Sequence, residues 1–85
     1  MTASDATPAG QQPEAELRAD LDRVEAQRSE LLRRARELRT GLADAGPMDT
    51  EERTAIITQA EELEALAAEL ERRRDALLEK LGESP

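Results

Sequence analysis

The chain has 85 residues, a net charge of −8 and no Phe, Tyr or Trp, so one small domain is expected, without the aromatic share of a compact core. It has no Cys and no His, which excludes a disulfide, a thiolate nucleophile, a histidine base and a Cys/His zinc site. Charged residues reach 38% and Leu, Ala, Glu and Arg dominate, the composition of long helices or a coiled coil. Val24, Ile56 and Ile57 are the only Val or Ile, so the fold class expected is all-α.

Residues 1–12, "MTASDATPAGQQ", are small and polar around Pro8 and Gly10, and are expected to form a disordered tail. They have neither the basic start nor the apolar core of a secretory signal. No apolar run approaches the ~20 residues that span a bilayer. A cytoplasmic protein is the expectation.

The helical region expected is 13–82. Pro13 suits the first position of a helix, and Glu14 and Glu16 favour the positive end of its dipole. A first helix is predicted over 13–42, with Arg33, Arg34, Arg36 and Arg39 toward its end. A turn follows over 43–49. Gly41 or Gly46 is able to take the left-handed conformation that ends a helix, and Pro47 cannot continue one. Asp49 is the expected N-cap of a second helix over 50–81, with Glu52 completing an Asp-x-x-Glu capping box. Gly82 is placed as the stop, and 83–85 as a frayed end. Read this way, Gly46, Pro47 and Asp49 make a connection between helices, and the turn needs no function of its own.

Steps of four and three along the first helix meet Leu17, Leu21, Val24, Arg28, Leu31, Ala35, Leu38 and Leu42. The same walk along the second meets Ile56, Ala60, Leu63, Ala67, Leu70, Arg74, Leu77 and Leu81. Each seam has a single polar member. Two heptad seams joined by a short turn predict an antiparallel two-helix coiled-coil hairpin. Setting Leu42 beside Ile56 brings Leu21 beside Leu77 and Leu17 beside Leu81, with large residues facing small ones near the turn; a register one heptad shorter also sets large against small, but puts Leu38 against Arg53 and leaves Leu81 unpaired. Charge agrees: Glu14, Glu16, Asp20 and Asp22 would lie near Arg72, Arg73, Arg74 and Lys80, and the basic end of the first helix near Glu61, Glu62 and Glu64. Arg28 and Arg74 are expected to extend to the edge of the seam and reach solvent.

Leu32, Ile57, Leu66 and Leu78 widen the apolar stripe beyond what one partner helix covers. A lone hairpin of this size is marginal. These four residues are therefore the expected interface, either with a second copy in a four-helix bundle or with another protein. Neighbouring acids such as Glu51 with Glu52 point in different directions on a helix, so no catalytic pair is expected. No cofactor and no metal are expected, and a dimetal bundle would need the histidines this chain lacks. Net acidity argues against binding nucleic acid or a membrane.

Three resemblances bear on function. "TEERTAIITQAEELEALAAELE" after a short turn, with "DALLEKLG" at the end, is similar to the long coiled-coil arm of seryl-tRNA synthetases. That implies an RNA-holding arm, with Arg33, Arg34, Arg36, Arg39 and Arg72 to Arg74 as contacts, although the chain is acidic. "ELRADLDRVEAQRSELLRRAREL" resembles the first helix of the small all-helical chorismate mutases. This chain has Ala35 where that family expects an arginine, and no lysine before Lys80, so the active site does not carry over. An acidic tip on a hairpin is similar to factors that enter the RNA polymerase secondary channel, which implies Asp44, Asp49 or Glu51 as metal-binding acids. The polymerase-binding domain or zinc element of such factors is missing from these residues. The function expected from the residues is a non-enzymatic protein–protein association or oligomerisation module.

Overall fold

The structure is a computed structural model that describes residues 13–83. Two helices, α1 (Glu14–Asp44) and α2 (Thr50–Lys80), pack against each other as a hairpin, with no strand among the described residues. The expected tail 1–12 and residues 84–85 lie outside that range. Neither helix is long and apolar enough to cross a membrane.

Helix α1 starts at Pro13, which takes the N-cap position with an extended backbone (φ −57°, ψ 148°). Its carbonyl accepts the N–H groups of Glu16 (3.0 Å) and Leu17 (3.1 Å). The helix runs through Gly41 and ends at Asp44, two residues beyond the expected 42, because the stop is set by Gly46 and Pro47. Gly46 has φ 72°, where a side chain is strained, and Pro47 offers no N–H to extend the helix. The two glycines should therefore respond oppositely to alanine. Neither added Cβ meets an atom within 4 Å, so backbone preference decides. Gly46→Ala is expected to lose about 1–2 kcal/mol, and Gly41→Ala, inside the helix, to gain about 0.5–1 kcal/mol. Thermal melts of the two variants check the location of the stop.

Asp49 stands at the N-cap of α2 with an extended backbone (φ −61°, ψ 141°), but its side chain makes no capping bond. The expected Asp49–Glu52 box thus needs correcting. Only the Asp49 carbonyl is engaged, by the Arg53 N–H at 2.9 Å, and the carboxylate stays exposed to water. Asp49→Ala should then cost less than the ~1 kcal/mol of a working cap. The other end of α2 is closed more firmly. Gly82 has φ 78°, its N–H reaches the Glu79 carbonyl (3.0 Å), and the Glu83 N–H reaches the Leu78 carbonyl (2.8 Å). That pair of bonds is a Schellman motif, which satisfies carbonyls the helix leaves free.

The packing is uneven along the hairpin. Toward the chain ends, buried Leu17, Leu21, Val24 and Leu77 form one cluster, and half-buried Leu70, Leu78 and Leu81 pack against it. Elsewhere the buried residues are alanines: Ala35 (1% exposed), Ala60 (0%) and Ala67 (2%). The remaining apolar seam residues, Leu31, Leu38, Leu42, Ile56 and Leu63, are half-buried. Short side chains hold the centre line, and the long ones are displaced to its edge.

Candidate docking site

Successive residues on a helix turn by 100°, so each edge of the seam leads to a different flank. On one flank α2 carries the heptad stripe Ile57, Glu64, Glu71 and Leu78, and this flank is laced across. Arg39 grips Glu64 with both arms of its guanidinium, Nε and Nη2 each at 2.8 Å from a carboxylate oxygen. Arg28 approaches Glu71 at 3.8 Å, and Arg18 bonds the Glu83 carboxylate. Leu32 opens onto this side, in a shallow groove with Arg36, Arg39, Thr40, Ala43 and Glu64. Arg28 and Arg74, the two polar members of the seam, are half-buried and both reach Glu71 at 3.8 Å. Arg74 also holds Asp75 at 2.8 Å, which raises the guanidinium above its ordinary value.

Nearness across the helices becomes an ion pair at some of the expected places and not at others; Asp20 and Arg73 line one groove without pairing. Arg39–Glu64 joins the basic end of α1 to the acids of α2. At the open end, the α1 acids do not reach Arg72, Arg73 or Lys80. Asp20 bonds Arg23 within its own helix, and Glu14 bonds Arg18. A flexible side chain takes the nearer partner three or four residues away when both choices are exposed.

The hydrogen bond from Arg39 is the main reason the Glu64 carboxyl lies below the ordinary carboxylate range, and the Arg33 bond does the same for Glu30. A depressed folded-state value means that the pair stabilises the fold above the unfolded carboxylate pKa. The contribution disappears as pH falls through the folded value. Glu64→Gln should accordingly lower the melting temperature at neutral pH and leave it nearly unchanged in acid below that value. Melts of both proteins across the acid range check it.

The other flank has no ion pair between the helices among the described residues, and leucines line its grooves among polar and charged neighbours. The central groove, about 560 Å³, is lined by Ala26, Gln27, Glu30, Leu31, Arg34, Leu66, Glu69 and Leu70. It shares Arg34 with a groove toward the turn that contains Leu38 and Leu63. Toward the ends it shares Gln27 and Leu70 with a groove that contains Val24 and Arg73. The three grooves adjoin one another along this flank. Leu66, half exposed, is the most open large apolar side chain among the described residues.

The four residues expected at the interface are thus divided by the fold. Leu66 stands on the leucine flank. Leu32 and Ile57 are half-buried on the ion-paired flank, and Leu78 is half-buried against the core cluster. Spacing did not reveal that Leu31, Leu38, Leu63 and Leu70 join Leu66 on one side. The alternation of Leu with Ala35, Ala60 and Ala67 was the signal for it. At the turn, Asp44, Asp49 and Glu51 belong to no group of three or more acids placed to hold a metal ion among the described residues. Comparison with protein-family models, with curated proteins and with solved structures returns no match for this chain.

Proposed function

We propose that this chain is a non-enzymatic association module of the cytoplasm, an antiparallel coiled-coil hairpin that docks other protein surface against its leucine flank. The observation that carries the proposal is the difference between its two flanks. One is laced by Arg39–Glu64, Arg28–Glu71 and Arg18–Glu83. The other leaves five leucines, Leu31, Leu38, Leu63, Leu66 and Leu70, half-buried or exposed along adjoining grooves. Apolar surface gathered on one side and bordered by charge is the usual mark of an interaction surface. The order of the three cross-helix pairs supports the antiparallel arrangement, since the partner's number falls from 83 to 64 as the arginine's rises from 18 to 39.

The rival, an RNA-holding arm, would use arginines that are mostly engaged. Arg33 meets Glu30 and Glu37, Arg34 meets Glu30, and Arg39 meets Glu64. Affinity capture from native cytosol separates the two readings when wild type and Leu66→Glu are compared at low and high salt. Apolar docking predicts a protein captured at both salt concentrations by wild type and lost by a still-helical Leu66→Glu. RNA in the captured fraction, released steeply by salt and retained by Leu66→Glu, would overturn the proposal.

A further inference from the structure

The leucine flank has the outline of a surface that fits itself. Residues 1–12 contain no Leu, Ile, Val or aromatic side chain, and one Met cannot fill a flank lined by five leucines. In order along α1, the flank presents Ala26, Gln27, Glu30, Leu31, Arg34, Glu37 and Leu38. Turn a second copy end for end about the level of residue 32, and Glu30 of each chain faces Arg34 of the other. Leu38 then comes over Ala26, a large side chain over a small one, and Leu31 approaches its own counterpart. Across the central groove Leu66 lies level with Leu31 and Arg34. It lies one residue past the middle of α2 (Thr50–Lys80), and the same two-fold axis, at the level of Leu31 and Arg34, passes beside it and sets Leu66 against Leu66.

The size is sufficient. A helix of 31 residues is roughly 46 Å long, and two lie side by side at about 10 Å each. A flank of those dimensions matches the ~800 Å² that each partner contributes to a standard interface. A two-fold contact of this kind is self-complementary, the commonest way for identical chains to pair. Resting on the association reading above, we infer that the occupant of the leucine flank is a second copy of this chain. The two hairpins lie end for end in a four-helix bundle, with Leu66 on the two-fold axis and Glu30 and Arg34 exchanged between chains. Each chain has a net charge of −8, so the copies repel at long range and added salt strengthens the dimer. A basic partner would respond in the opposite sense.

Sedimentation equilibrium across concentration and salt tests this, with circular dichroism following helicity. The wild type should be dimeric at micromolar concentration and tighter in salt. Leu66→Glu places two carboxylates face to face on the axis and should weaken the dimer by about tenfold or more with helicity retained. The charge exchange gives a test that depends less on stability, because Glu30 and Arg34 are exposed. Glu30→Arg and Arg34→Glu should each weaken self-association, because each sets like charges opposite one another. An equal mixture of the two variants should form a heterodimer, since every facing pair is then of opposite sign. Two single variants that show no preference for each other would overturn the arrangement. So would a wild-type dimer that resists Leu66→Glu and dissociates with Ile57→Glu. A fully helical wild type that stays monomeric at hundreds of micromolar would overturn the second copy as occupant. If that monomer still captures a cytosolic protein through Leu66, the association reading stands without it.

Discussion

Leu21→Ala or Leu77→Ala is expected to cost about 2–5 kcal/mol, and so to unfold a large share of a hairpin with little stability to spare. Both residues are buried in the one cluster of large side chains, where removing a leucine leaves a cavity that two helices cannot fully close. Leu63 and Leu70 lie on the same seam, two heptads and one heptad before Leu77, but are half-buried. In the isolated hairpin Leu63→Ala and Leu70→Ala remove less covered surface and should shift the melting temperature less. The contrast is the measurement. Equal shifts for Leu21→Ala and Leu63→Ala would place the core evenly along the helices, contrary to the packing described above.

The second large effect is expected at Ala60. Its exposure is 0%, and its methyl group is fully covered in the packing of the hairpin. Ala60→Asp puts an ionised carboxylate there with a stem too short to reach water. An uncompensated buried charge costs about 3–5 kcal/mol. Ala65→Asp is the control, since Ala65 is exposed on the same helix and should lose only the ~0.5 kcal/mol of poorer helix propensity. Chemical denaturation of the two variants separates them. Similar midpoints would mean that the helices do not approach at Ala60.

Which parts of this were legible in the sequence depends on how local the cause is. Gly46, Pro47 and Gly82 announce helix ends because backbone conformation there belongs to the residue itself. The two-helix hairpin was legible for a similar reason, through heptad spacing that repeats on either side of one break. The capping box was a residue pattern that the chain did not use, since an exposed Asp49 exchanges a bond to water for a bond to the backbone at little gain. Burial was harder. Heptad spacing puts Ala60 and Leu63 on the same seam, and only the packing of both helices shows that one fills the centre and the other the edge. The candidate site followed from that difference. Leu66 was recognisable as surplus apolar surface, whereas its company on the leucine flank required the third dimension. Partner choice among the arginines was the least legible, because long exposed side chains have several acids within reach at similar energies.

The Arg18–Glu83 contact brings the two ends of the described chain to the same end of the hairpin. Tension applied between those ends would peel the helices apart turn by turn, not shear them past one another. Peeling loads one layer at a time, and the first layers it meets hold Leu17, Leu21, Val24 and Leu77. Once those give way, the later layers are joined across alanines, which have far less contact to lose. The molecule is therefore strongest where a pull would begin, and should open in a single rupture with no stable half-open state.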